Sequence, residues 1–313
     1  MNRFWILASW VLCVPMTWAG QEDIPARLKL PISPLGEFPI PFRPWVSLAD
    51  HAPASLASPA PASERGTALP QLPYRRPAKD PLQVGERLEF EITYFGVPAG
   101  TFTLETLPFQ WINGRKVYHV RGTARSTGVF RLFYRLDDTI ESFLDYDSLV
   151  SLRFQCELNE TKQLKKSVEI NDPVQAKTYF WNRWKPSDNP FREVQKEAVI
   201  PALIQDSLSA LFFTRMQEFT EASPVSTFSI ASESNNWDAV ITHVRGDRLK
   251  VANLGEVNAK VFKMEAKYQG ILKRSGDSFL WLSDDDRRIV LRLEAHVKIG
   301  TVVATLRKIE RTI

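Results

Sequence analysis

From Pro81 onward large apolar residues alternate with polar ones at a period of two, and short clusters of turn-forming residues interrupt the alternation. That is the pattern of half-buried β-strands. Leu88, Phe90, Ile92 and Tyr94 alternate with Glu89, Glu91 and Thr93, and Gly96-Val-Pro-Ala-Gly100 returns the chain into Thr101-Phe-Thr-Leu-Glu105, which predicts a hairpin. Asn113-Gly114 predicts a second turn ahead of a strand over 116–124. Further strands are predicted near 138–145, 150–158, 164–170 and 174–181, and a second group over 227–231, 238–244, 257–268, 279–282, 289–297 and 302–309. Strands in such number, with hairpin-length links, predict a mainly β fold: an antiparallel curved sheet forming a barrel, half-barrel or sandwich.

One stretch breaks the period. Ile204, Leu208, Leu211, Phe212 and Phe219 recur at helical spacing behind Pro201 and the capping candidate Asp206, predicting one substantial helix near 204–219 that covers a face or mouth of the sheet. Two strands are apolar on both phases: Trp237, Ala239 and Ile241 alternate with Val240 and Val244, and Val257 and Val261 precede Phe262 and Met264. A bulge that switches phase is the simplest way to cover both sides.

Ahead of this region the texture changes twice. Met1–Ala19 has Arg3 at its start, a nearly unbroken apolar run from Phe4 to Trp18, and Thr17-Trp18-Ala19 as a cleavage-like end. It predicts a secretory signal cleaved after Ala19, export to the periplasm, and no membrane span once cleaved, since a span needs about 20 apolar residues. Cys13 follows Leu12 where a lipidation signal needs a small residue, so no lipid anchor is expected. Thirteen of the chain's 21 prolines fall between Gln21 and Pro81. Residues 20–81 therefore read as a proline-rich, largely disordered extension, and 82–313 as the β domain. Within the extension, Leu30–Leu35 and Phe38–Trp45 mix proline with large apolar residues, a composition suited to docking in a groove.

Charge and cysteine content narrow the function. Lysine and arginine total 40 against 36 acidic residues and form no long basic run, which excludes a nucleic-acid footprint. After signal cleavage Cys156 alone remains, so no intramolecular disulfide is available; it lies in phase with Leu152 and Phe154, as a buried inert thiol would. His51, His119, His243 and His296 stand singly, without metal-ligand spacing. No nucleophile elbow, phosphate-cradling glycine loop or dinucleotide fingerprint is present, and no catalytic residue, metal or cofactor is assigned.

Three constellations remain. Asp137-Asp138 with Glu141 and Asp145 lacks the glycine-containing loop of a calcium site and reads as strand-end charge, with Asp138 and Glu141 as acid and base in a rival glycoside-hydrolase reading. Ser283–Arg288 reads as a hairpin turn with its charges facing water, and Asp284, Asp285, Arg287 and Arg288 form the preferred surface for a protein partner. Phe130, Phe133 and Tyr134 cluster, Trp181 and Trp184 flank Arg183, and Tyr94, Phe102, Phe133, Tyr134 and Phe212 are the candidate lining for a lipid or other amphipathic ligand.

The stretch Val84-Gly-Glu-Arg-Leu-Glu-Phe-Glu-Ile-Thr-Tyr-Phe-Gly-Val-Pro-Ala-Gly-Thr101, then Gln205–Arg215, then Trp281-Leu-Ser-Asp-Asp-Asp-Arg-Arg288 leading into Lys298–Leu306, resembles an uncharacterised family of exported bacterial proteins, the domain of unknown function 3108. The resemblance covers most of Pro81–Ile309 and departs at Val290, where many relatives are expected to carry proline. It implies a periplasmic, mostly antiparallel β domain and transfers no catalytic residue. The favoured reading is a non-enzymatic periplasmic protein that binds an apolar or amphipathic envelope component or an envelope partner. The alternatives are a polysaccharide-acting hydrolase or binding module, and a structural protein docking through Leu30–Trp45.

Overall fold

The first and last strands of the domain pair with each other, which leaves two mid-chain strands as the edges of the sheet. The computed structural model describes residues 72–186, 190–251, 254–268, 271–272, 277–296 and 300–311. The signal segment, the Leu30–Trp45 arm and His51 lie outside the described residues. The first half supplies β1 (Glu86–Tyr94), β2 (Val97–Ile112), β3 (Arg115–Ser126), β4 (Asp137–Asp145), β5 (Ser151–Glu160), β6 (Gln163–Asp172), β7 (Lys177–Pro186) and β8 (Arg192–Val199). The second supplies β9 (Val225–Ser232), β10 (Asn235–Val251), β11 (Gly255–Tyr268), β12 (Ile271–Leu272), β13 (Ser278–Ser283), β14 (Val290–His296) and β15 (Thr301–Arg311). They form one antiparallel sheet in the order β8-β7-β6-β5-β4-β3-β2-β1-β15-β14-β13-β11-β10-β9, with β12 paired to β11 alone. The ladder stays open, because β8 and β9 do not pair, so of the expected forms a closed barrel is not the one adopted.

The period-two pattern explains which face is buried. Leu88 and Phe90 of β1, Phe102 and Leu104 of β2, Tyr118 and Val120 of β3, and Ile140 and Leu144 of β4 alternate into one core, where they meet Val261, Leu280, Leu293 and Leu306 from the other arm. Each such side chain contributes about 1.5 to 3 kcal/mol on burial. Gly122 lies among them, and a Cβ there would sit 3.1 Å from Ile140 and 3.2 Å from Phe102.

The two arms are joined by the connection between β8 and β9. Ile204 accepts from the Ser151 amide at 3.0 Å, while Gln205 donates to Ser229 at 2.9 Å and accepts from Ala231 at 2.8 Å. The Gln205 side chain adds a bond to the Leu149 carbonyl at 2.6 Å. Two residues of extended backbone thus stitch β5 to the β9 edge, so the sheet curls without closing. The next residues form the longer helix, α2 (Ser207–Met216). It is three residues shorter at each end than the apolar spacing predicts: Ile204 and Gln205 are committed to those strand bonds, and Gln217 is already extended. Phe219 still packs on Phe262, with ring centroids 4.6 Å apart. The other helix among the described residues, α1 (Phe130–Phe133), is a single turn between β3 and β4.

Elsewhere the differences from expectation have local causes. The β10–β11 register shifts between His243 and Arg245, where strands apolar on both phases call for a bulge. Strand β7 begins at Lys177 because Asp172 accepts from the Val174 and Gln175 amides and holds a turn there. Strand β8 carries no alternation to read; most of its side chains are exposed. The fold also begins before the expected boundary at residue 82. Arg75 donates to Asp147, its guanidinium lies 4.5 Å over the Phe213 ring, and Asp80 accepts from Tyr118 and Arg76.

Candidate functional site

The turn between β13 and β14 carries charges expected to face water; its three aspartates are exposed, while Arg287 and Arg288 turn inward. Asp285 accepts from Ser283 Oγ at 2.7 Å and from the Arg287 and Arg288 amides at 3.0 Å each, fixing the turn. Arg287 reaches the Glu86 carboxylate at 2.7 Å, and Arg288 Nη1 donates to the Arg215 carbonyl at 3.0 Å and the Gln217 carbonyl at 2.5 Å. Asp284 and Asp286 point outward, paired with Lys260 at 2.9 Å and with Lys79 at 2.7 Å. At the centre, Arg215 donates to both oxygens of Glu86 at 2.7 and 3.3 Å, and to the carbonyls of Pro81, Arg287 and Arg288. The two side chains are each only 1% exposed. Nothing in the sequence marks the two as a pair, yet each carries a signal of burial. Glu86 shares the phase of Leu88 and Phe90, and Arg215 continues the helical stripe of Leu208 and Phe212.

Asp138 and Glu141, three residues apart on β4, face opposite sides of the sheet, so they cannot act on one bond as acid and base. Glu141 is on the outer side, bonded by His119 Nε2 at 3.0 Å, Arg121 Nε at 2.8 Å and Gln155. Burial opposes its charge, but those hydrogen bonds outweigh it and hold the carboxyl down at about 2. Asp138 is on the inner side beside Glu160, which accepts from Tyr134 Oη at 2.5 Å. Burial first, and the Glu160 charge second, push Asp138 up to about 8.

That shift sets a pH dependence. The folded state keeps a proton on Asp138 that the unfolded chain, with an ordinary carboxyl near 3.8, releases. Its contribution to stability is therefore complete below about pH 4 and declines as pH rises toward about 8, at about 1.4 kcal/mol per pH unit. Asp138→Asn keeps the acceptor for the Asn159 amide and supplies a permanent donor toward Glu160. Urea unfolding from pH 5 to 9 should show the variant gaining on the native protein up to about pH 8 and levelling off beyond it; equal slopes over pH 5 to 8 would mean that Asp138 is ionised in the fold.

The unaccounted surface lies at the end of the sheet formed by the β1–β2 turn and α1. Phe95, Val97, Val129, Leu132 and Phe133 are 62%, 63%, 69%, 83% and 79% exposed there, in positions where connections are ordinarily polar. The two connections are neighbours: Gly100 pairs with Ser126, and Thr127 donates to the Ala99 carbonyl at 3.1 Å. With strands about 4.8 Å apart, their tips are separated by roughly 10 Å. Phe95 and Gly96 form a two-residue turn with φ of 50° and 76°. A left-handed phenylalanine costs about 1 to 2 kcal/mol that asparagine or glycine would avoid. Its ring meets Tyr94 at 4.6 Å and lies over Gly300, where a Cβ would approach within 2.4 Å of the ring. The turn α1 buries none of its side chains, and Tyr134 behind it is buried and anchored on Glu160.

The structure distributes the expected ligand-lining residues. Phe133 is on this exposed end, Tyr94 is half-buried at its base, and Tyr134 lies just beneath it. Phe102 and Phe212 are fully within the main core. Cys156 is half-buried, with Sγ 3.0 Å from Ser167 Oγ, and burial raises its thiol. Phe95, Val97, Val129 and Leu132 are not among the expected lining residues, although large apolar residues inside two turns are a signal the sequence carries.

An open, strongly curved antiparallel sheet with one three-turn helix and an apolar end places the protein in the mainly β class. The chain belongs to the family described as a protein of unknown function, DUF3108, whose pattern matches residues 89–307. No curated protein matches it. Among solved structures it is similar to a β-barrel-like protein of domain of unknown function DUF1849 from Brucella abortus, with 9% identity, a TM-score of 0.47, and coverage of 74% of this chain and 98% of that one. It is also similar to a protein with a YmcC-like fold, provisionally assigned as exported, from Bacteroides fragilis, at 8% identity, a TM-score of 0.32, and coverage of 77% and 100%. A protein provisionally assigned as a lipoprotein, from Parabacteroides distasonis, gives the same four values.

Proposed function

We propose that this chain is an exported, non-enzymatic protein of the cell envelope that engages an amphipathic envelope component through the apolar end of its sheet. The carrying observation is the set of five large side chains exposed together on the β1–β2 turn and α1. Several large apolar side chains exposed near one another are a mark of an interaction site. Retaining Phe95 in a left-handed turn, at a cost a polar residue would spare, is in keeping with a use for the exposed ring. The export step rests on the Met1–Ala19 pattern, and a net charge of +4 is compatible with anionic envelope amphiphiles.

Native mass spectrometry of gently purified protein, titrated with single-chain anionic amphiphiles below their micelle concentration, tests this reading. A saturable complex that weakens in Leu132→Asp/Phe133→Asp is the expected result. Absence of any complex, or one indifferent to that change, would sink the proposal.

A further inference from the structure

We infer that the apolar end is a seat for an anionic bilayer surface, with the sheet standing end-on to the membrane and the two turns entering the headgroup layer. This rests on the function proposed above and names its target. The apolar side chains occupy adjacent turns at one end of the strands, so they can meet a plane together, whereas a patch along a strand face would meet a groove. Interfacial segments sink about 5 to 10 Å into the headgroup boundary, a depth that a phenylalanine or leucine on a turn can reach without unfolding a strand.

Charge selects the sign of the lipid. Arg131 is within α1, Arg135 follows it, and Lys162 is on the neighbouring β5–β6 turn, tied to it by the Thr161 amide donating to the Arg135 carbonyl at 2.9 Å. Among the described residues none of the three has a carboxylate partner, while the nearby Asp137 is already paired with Arg125 at 2.8 Å. Apolar tips ringed by uncommitted cations are complementary to a layer of negative headgroups over hydrocarbon. A water-exposed arginine beside an apolar tip also keeps its charge at the headgroup level as the tip goes deeper.

Co-sedimentation with vesicles of pure phosphatidylcholine, and with vesicles containing phosphatidylglycerol, tests the inference on the full chain and on variants sharing the same N-terminus. Phosphatidylglycerol should strengthen binding at least tenfold. Leu132→Asp/Phe133→Asp should abolish that gain, and Arg131→Ala and Arg135→Ala should each weaken it by roughly fivefold. The side chains changed are exposed, so thermal unfolding should stay where it is and report that the fold is intact. Equal binding to both vesicle types, binding that survives the aspartate pair, or self-association at this end in place of vesicle binding would each overturn the inference. If vesicles are ignored while single amphiphiles still bind in the mass spectrometer, the membrane seat falls and the proposed function stands.

Discussion

Glu86→Gln is expected to lower the unfolding free energy by about 3 to 5 kcal/mol, and to do more damage than Arg215→Met at the same lock. The Glu86 carboxylate neutralises two guanidiniums, taking Arg215 on one side at 2.7 Å and Arg287 on the other at 2.7 Å. Removing its charge leaves two cations facing a neutral amide, one of them wholly buried. Arg215→Met leaves Glu86 with Arg287 still in place, so its larger penalty is the loss of donors to the carbonyls of Arg287 and Arg288. The double variant Glu86→Gln/Arg215→Met removes the buried pair together and should recover part of the loss, because replacing a buried ion pair as a unit is often close to neutral. Chemical denaturation of the four proteins gives the coupling directly. Additive losses, or a Glu86→Gln effect below about 1 kcal/mol, would mean that the pair is hydrated in solution.

The position of that lock explains its expected weight. It gathers the start of β1, the end of α2, the β13–β14 turn and Pro81, segments that are distant in the chain. Arg288 also satisfies carbonyls at the C-terminal end of α2, where the helix leaves acceptors without partners and carries partial negative charge. A run of charges between two apolar strands is ordinarily a solvated turn, and Asp284 does behave that way. Arg287 and Arg288 differ because a buried carboxylate and a helix end lie within their reach, and neither neighbour is close in sequence.

Much of the sheet is legible from its alternation, since a half-buried strand must show period two. Strand β8 is not, because its side chains are mostly exposed and polarity there carries no phase. The strand order is less legible still. Pairing β1 with β15 and leaving β8 and β9 as edges depends on long-range closure and not on any local preference. The exposed end was within reach from sequence, because Phe95 beside Gly96 and Val129 beside Gly128 place bulky apolar groups in turns. What sequence could not supply was that the two turns are neighbours, which follows from the Gly100–Ser126 register.

Asp206→Ala is expected to cost about 3 kcal/mol or more, well above the ~1 kcal/mol of an ordinary helix cap. One carboxylate oxygen accepts from the Leu208 and Ser209 amides at 2.8 and 2.7 Å, and Ser209 Oγ completes the box by accepting from the Asp206 amide at 2.7 Å. The other accepts from Ser142 Oγ at 2.5 Å and Ser151 Oγ at 2.6 Å, tying the helix start to β4 and β5. All four donors are buried, so alanine strands them where water cannot substitute. Burial raises the Asp206 carboxyl even against these four bonds, so the site is not held by charge alone. Asp206→Asn preserves the capping oxygen and turns an amide donor toward hydroxyls that can accept, and should lose no more than about a third as much. Hydrogen exchange separates the two contributions of the residue. Because Ile204 and Gln205 immediately precede the cap, alanine should release protection at the Ser151, Gln205 and Ala231 amides before it does so in the strands around β15. Loss at those three amides with the rest intact would identify Asp206 as the fastener that keeps the sheet curled; uniform loss would make it a helix cap and nothing more.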